Sequence, residues 1–427
     1  MNFSNLKEFK FGWPVILSST FGIGLGMSPL PFYTIGVFAI PLTKKFGWGM
    51  DTVMGGLTVF TIAALIASPL VGYIADKIGA RKTALWSLAL FGITFVAFSL
   101  NTGSPVLYYA LWGLLAFVGA GTLPMTWTRA INNWFNENRG LALGLSLLGT
   151  GLFGSMAKLY AFSLIDSFGW KTAYLGVGLL PLLIALPIAY FFFRDTDDPK
   201  VADKVARLRS TIPSHAKVTR DGMSVAQALR DWRFWLLAFC FILISFAVGG
   251  PIPNLEKMLG NKGFEVSDAV ILASAIGYAV LVGRLVGGYL LDRFWAPAVA
   301  FVLLSIPALS CYLLQGADLS YSNALIAVII LGFGAGVEYD LMAYLVSRYF
   351  GMKNYAAIYG FLYGFFAMGA GFGPVIFGKF FANTGSYDTI LGYAMIAFLV
   401  GSFPLLLLGK YRSFESVTVE IEDDVKA

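Results

Sequence analysis

Long apolar runs separated by short polar turns dominate the chain. From Trp13 to Arg194 six such runs follow one another, broken near Phe46, Asp76, Thr102, Asn136 and Asp166. Six more lie between Phe234 and Leu408, broken near Asn261, Asp292, Gly316, Lys353 and Thr384. Each is near the length of about 20 residues that a helix needs to cross the hydrocarbon of a bilayer. Between the two sets, Asp195, Asp197, Asp198, Arg207, Arg209 and Arg220 make a stretch too polar to cross. The pattern predicts an all-α membrane protein with twelve transmembrane helices in two pseudo-symmetric six-helix bundles. Its divisions are an N-terminal segment (1–12), a first bundle (13–193), a central loop (194–232), a second bundle (233–409) and a tail (410–427) that ends in acidic residues.

Composition agrees. Hydrophobic residues make up 58% of the 427 and charged residues only 13%, about half the charge of a soluble protein. The net charge of +6 gains meaning once the charges are placed on loops, because loop Lys and Arg set membrane orientation. With both termini inside, the inner face holds Lys7, Lys10, Lys77, Arg81, Lys82, Arg139, the basic residues between Arg194 and Arg233, Arg293, Arg348, Lys353, Lys410, Arg412 and Lys426. The outer face then holds Lys44, Lys45, Lys171, Lys257, Lys262 and Lys379. This asymmetry predicts N-in, C-in topology in a plasma (inner) membrane, and it is an orientation signal, not a nucleic-acid footprint. Met1 to Phe11 is polar and lacks the apolar core of a signal peptide, so the first helix is expected to stay in the mature protein.

Several chemistries find no support in the sequence. Cys240 and Cys311 sit in apolar runs without paired spacing, so neither a disulfide framework nor a metal set is expected. His215, the single histidine, lies in the central loop. There is no phosphate-cradling glycine loop for ATP-driven work, and no nucleophile paired with a base. We expect no cofactor, no metal and no enzymatic activity.

The two halves echo each other. Phe46-Gly47-Trp48 leading to Asp51 is matched by Gly263-Phe264 leading to Asp268, and Gly72 to Lys77 is matched by Gly288 to Arg293. Asn133-Trp134-Phe135 matches Arg348-Tyr349-Phe350, and Phe168-Gly169-Trp170 matches Gly385-Ser386-Tyr387. Four pairs at nearly the same offset indicate a duplicated unit, an architecture that places a substrate site near the midplane between the halves.

The run Gly72-Tyr73-Ile74-Ala75-Asp76-Lys77-Ile78-Gly79-Ala80-Arg81-Lys82 resembles the loop between helices two and three of the major facilitator superfamily. Glycine permits close packing there, Asp76 suits the N-terminal end of a neighbouring helix, and Arg81 and Lys82 are placed to anchor at headgroups. Gly72, Asp76 and Arg81, with Asp292 and Arg293 of the second half, therefore read as gating residues. Further segments resemble the monocarboxylate transporter and oxalate–formate antiporter group of that superfamily. They are Gly36 to Trp48, Trp134-Phe135 with Arg139 to Gly144, Asp166 to Trp170, Asp231 to Trp235, Gly283-Arg284 and Gly288 to Arg293. The resemblance covers nearly the whole chain.

Ionisable residues inside a membrane are costly, and by default mark function or pairing. Deep within the predicted spans lie Arg129 on helix four, Lys158 on helix five, Arg284 on helix eight, and Glu338 and Asp340 on helix ten. The resemblance implies that helices three, six, nine and twelve, whose cores carry no charge, face lipid, while four, five, eight and ten line a central cavity. Arg284 precedes Asp292 by eight residues, about 12 Å at the helical rise, which approaches the midplane. Three cations against two anions favour an anionic substrate, which a guanidinium can grip through two hydrogen bonds. The competing reading pairs Arg284 with Glu338 or Asp340 as a helix lock. The resemblance implies a substrate-binding arginine at this place on helix eight. Lys158 either faces substrate or snorkels, and Arg129 reads as a headgroup or capping arginine. Glu338 and Asp340 lie about 200° apart around the helix, so only one can point squarely into the cavity; the pair suits either a reversible proton carrier or a fixed ion pair. Tyr33, Tyr339, Tyr359 and Tyr363 are candidates for an aromatic wall.

Three positions depart from the group. Val280 stands one turn before Arg284 where proton-coupled members carry aspartate, Phe32 and Tyr33 stand where they carry a lysine, and Tyr363 to Phe366 lacks the exchanger's lysine. The resulting expectation is a secondary active transporter of a small organic anion, a monocarboxylate, working by alternating access with proton symport or anion exchange. Its partners would be the carboxylate, protons or a counter-anion and the lipid bilayer, with no nucleic acid, and the chain would act as a monomer. An exporter of amphiphilic or drug-like compounds is the alternative, and a transporter-like sensor a remote one.

Overall fold

The computed structural model describes residues 7–196, 198–211, 222–316, 319–412 and 414, so His215 and the acidic end of the tail lie outside the described residues. The first span, α1, is two pieces, Lys7–Gly24 and Leu30–Phe46. The other spans are α2 (Met50–Ile78), α3 (Ala80–Leu100), α4 (Pro105–Trp134), α5 (Arg139–Phe168), α6 (Trp170–Phe192), α7 (Trp232–Asn261), α8 (Val266–Leu291), α9 (Ala296–Gln315), α10 (Tyr321–Tyr349), α11 (Tyr355–Thr384) and α12 (Asp388–Leu408). Eleven of these are each long and apolar enough to cross a membrane. The broken, charge-bearing α1 supplies the twelfth, so the chain is a multi-pass integral membrane protein. Among the described residues the only β pairing is one bridge between Gly222 and Gly351.

The break in α1 has a local cause. Pro29 has no N–H to continue the ladder, and Met27 donates its N–H to the Thr122 hydroxyl (2.8 Å). Thr122 lies in a second break, in α4, and donates in turn to the Gly119 carbonyl (2.7 Å). One hydroxyl thus ties two interrupted helices together at mid-depth, where discontinuous spans are tolerated only if their backbone groups are satisfied. The duplication shows in the turns as well. Gly169 (φ 82°) and Gly385 (φ 70°) both take the left-handed backbone after a helix, at the same spacing as Asp76 and Asp292.

Large apolar side chains stay exposed on α3, α6, α9 and α12, among them Trp86, Leu183, Tyr312 and Leu407, as lipid-facing helices require. The halves meet where α2 packs on α11 and α5 on α8. Glycines set the approach: a Cβ at Gly72 would lie 2.3 Å from the Ala356 carbonyl oxygen, and one at Gly140 would lie 2.3 Å from that of Gly288. Both contacts sit at the end of the bundle where the termini and central loop lie. Toward the far end the α5–α8 contact thins to 3.8 Å at Gly151 and Val280, and Gly277, on the same α8 stripe, meets nothing within 4 Å. The α5–α8 seam is closed at the terminal end and parts toward the other, while α2 and α11 still touch at Gly371, where a Cβ would lie 2.8 Å from Thr61.

Candidate functional site

Arg284 lies where the halves part. Its side chain is buried, donates from Nη2 to the Thr150 hydroxyl on α5 (2.9 Å) and pairs from Nη1 with Asp340 Oδ1 on α10 (3.4 Å). The guanidinium stands 5.8 Å from the ring centre of Tyr339. Tyr339 stacks with Tyr363 (6.2 Å between centroids) and packs on Phe366 (4.9 Å). Ser28, from the break in α1, interacts with the Tyr339 and Tyr363 side chains. Tyr33 lies against Gly154 on α5, one turn past Thr150, within electrostatic range of Arg284. Arg284 is therefore reached by both halves at once.

Among the described residues, three buried polar atoms in this cluster have no hydrogen-bond partner: Arg284 Nε, Asp340 Oδ2 and Glu338 Oε1. Unpaired polar atoms in an apolar interior cost free energy, so the cluster is suited to receive a polar ligand or a proton. Asp340 turns toward Arg284, while Glu338 is buried within electrostatic reach of it but outside ion-pair distance. Tyr359 is buried and bonds to the Tyr339 carbonyl (3.5 Å), behind the wall.

Lys158 is not brought to Arg284. It is exposed and stands eight residues past Thr150, about 12 Å farther along α5. It shares the heptad spacing of Gly144 and Gly151 on α5. Arg129 also leaves the cavity. It pairs with Asp76 (3.2 Å) and Asp195 (3.7 Å) at the closed end and donates to the Ala75 carbonyl in the last turn of α2 (3.4 Å), which fits the capping reading, sets aside the headgroup one and corrects the count of three cavity cations. Of the predicted cations only Arg284 stands with the acids, pairing with Asp340 and lying within electrostatic reach of Glu338.

Of the five residues expected to gate, Asp76 and Asp292 make paired contacts between the halves, two latches in shape. Asp76 accepts from the N–H groups of Ala356 (3.2 Å) and Ala357 (2.9 Å), the first turn of α11. Asp292 accepts from those of Gly140 (2.6 Å) and Leu141 (2.9 Å), the first turn of α5. Each carboxylate thus caps a helix of the opposite half, using the donors and positive dipole that a helix start leaves free. Arg81 does not reach for headgroups. It donates to the carbonyls of Phe193 (2.8 Å) and Tyr190 (2.7 Å) at the end of α6. Arg293 lies over the Tyr289 ring (3.6 Å). The sequence reading missed Thr150, whose hydroxyl gave no signal in an apolar run, and Arg139, which donates to Ser347 of the other half (3.3 Å).

A duplicated bundle around a polar midplane cluster, closed at one end by paired latches, defines a membrane transporter and not an enzyme. Residues 21–374 match the Major Facilitator Superfamily, and the chain belongs to it. It is 25% identical to monocarboxylate transporter 9 of Gallus gallus, over 93% of this chain and 92% of that one. It is 24% identical to the benzoate transport protein of Acinetobacter baylyi, over 87% and 84%. Among solved structures, a proton:xylose symporter bound to 6-bromo-6-deoxy-D-glucose superposes with a TM-score of 0.71 at 11% identity, covering 94% of this chain and 96% of that one.

Proposed function

We propose that this chain is a secondary active transporter of a small organic anion with one carboxylate. It works by alternating access, as a monomer, with both termini on the cytoplasmic side of the inner membrane. The observation that carries the reading is the incompletely satisfied cluster of Arg284, Asp340 and Glu338. A substrate carboxylate competes with Asp340 for the guanidinium, and the displaced acid takes a proton, because a buried carboxylate stripped of its cation is costly. Carboxylate and proton then cross together, or a second anion replaces the first in exchange. Tyr33, Tyr339 and Tyr363 form the apolar side of the site, and Lys158, farther along α5, attracts the anion. The names of the two relatives, one a monocarboxylate transporter and the other a benzoate transport protein, support a carboxylate cargo.

The test is uptake into proteoliposomes of labelled benzoate and lactate, with an imposed pH gradient and, separately, with unlabelled carboxylate inside. Truncating one partner of a buried charge pair costs about 2–5 kcal/mol, so Arg284→Ala should reduce uptake at least about thirtyfold. Adding Asp340→Asn to it removes the stranded charge and keeps the protein folded without restoring uptake. Undiminished carboxylate uptake by Arg284→Ala would overturn the assignment. Stimulation by the pH gradient marks symport, and stimulation by internal anion marks exchange.

A further inference from the structure

The turn between α4 and α5, which Asp292 grips from the opposite half, is gripped from its own half as well. Glu8, near the start of α1, is fully buried. Its Oε1 accepts from the N–H groups of Asn136 (2.9 Å) and Glu137 (3.2 Å), and its Oε2 from the N–H (2.9 Å) and the side-chain amide (3.2 Å) of Asn138. Two residues on, the N–H groups of Gly140 and Leu141 go to Asp292. Two carboxylates from different halves therefore divide the free donors of one turn and the helix start that follows it. Each such charge-assisted bond is stronger than a neutral one. Among the described residues, the matching turn of the second half, before α11, has no carboxylate in this role. There the Met223 N–H of the central loop donates to the Phe350 carbonyl (2.8 Å), beside the Gly222–Gly351 bridge.

We propose that Glu8 is a positioning residue of the gate. Its carboxylate holds the α4–α5 turn in the geometry that presents Gly140 and Leu141 to Asp292, so the first helix of the chain sets how tightly the terminal end closes. Three consecutive backbone donors fix the turn's path, and the donors of Gly140 and Leu141, past Arg139, can meet Asp292 only along that path. Without Glu8 those three donors turn to water, the start of α5 frays, and the α5–α8 latch loses its partner. The inference rests on the alternating-access reading above, in which the terminal end opens and closes.

The experiment places spin labels at Lys77 and Lys353, exposed residues beside the other latch, in the full chain in nanodiscs with Cys240 and Cys311 replaced by alanine. Labels there do not sense a merely local loosening around Glu8. Glu8→Ala is expected to raise the open-to-closed ratio about tenfold, and Glu8→Gln, which keeps the shape and loses the charge, to raise it by less. Asp292→Asn alone should open the same end. The double variant Glu8→Ala with Asp292→Asn should open it no further, since both changes remove one hold. If Asp292→Asn opens the labels while neither Glu8 variant does, or if the double variant shows the summed effect, the role of Glu8 is overturned. If Asp292→Asn also leaves the distances unchanged, the alternating-access gate itself has failed. Glu8→Gln carries the same decision where Glu8→Ala does not fold.

Discussion

The two latches make the same contact in different surroundings. Asp76 has a cation against it, and that cation is shared: Arg129 lies 3.2 Å from Asp76 and 3.7 Å from Asp195, with the Asp76 side chain only 3% exposed. Asp292 has its two backbone donors and, among the described residues, no ion pair. Burial pushes its carboxyl up to about 6, against the pull of the Leu141 and Gly140 N–H groups and the Arg139 charge, and the Glu8 charge adds to the rise. Duplication thus preserved the cap and not its electrostatics. The α2–α11 latch carries an ion-pair network, whereas the α5–α8 latch has backbone donors and, among the described residues, no ion pair.

Three comparisons test this contrast. The largest effect is expected for Arg129→Ala, which leaves two acids buried without their cation and should cost about 3–5 kcal/mol of closed-state stability. Arg139→Ala at the other latch, losing hydrogen bonds to the Phe135 carbonyl and Ser347, should cost about 1–2 kcal/mol. Thermal unfolding in detergent separates the two, and equal losses would erase the distinction. Next come Gly72→Ala and Gly140→Ala, whose new methyls meet a carbonyl oxygen at the same 2.3 Å. Overpacking of this kind costs about 1–3 kcal/mol, and the two variants should open the terminal end alike, since sterically the latches match. A large difference in label distances would show that they do not.

The smallest effect is the response to pH. Closed, Asp292 holds its proton up to about pH 6; released to water, it gives the proton up near 4. Closure is therefore favoured by proton uptake below the lower value, and that advantage is lost as pH rises through 6. Lowering pH from 7.5 to 5 should raise the closed-to-open ratio by about tenfold at most, read from spin labels at Glu137 and Phe294. Asp292→Asn should remove the part of the response that Asp292 carries.

The latches were half legible. Gly72 and Asp76, with their echoes Gly288 and Asp292, are visible as a repeated motif because a close turn needs glycine and a helix cap needs a short acid. That the caps cross between halves, and that Arg129 serves one of them, depends on residues distant in the chain. Glu8 gave no signal at all: one acid in a polar N-terminal segment looks like any solvated charge until the fold buries it. Arg284, Glu338 and Asp340 were found because charge within an apolar run is anomalous wherever the helices go.

Span count, duplication and the membrane as solvent follow from the sequence alone, since apolar length and charge placement act locally along the chain, residue by residue. Which charges share a site did not. Lys158 and Arg284 both read as cavity cations, yet helix register sets them about 12 Å apart along the axis, while Thr150, an unremarked hydroxyl, meets the guanidinium at 2.9 Å. Pairing energies fall off within a few ångströms, and only the packing of one half on the other brings two groups that close.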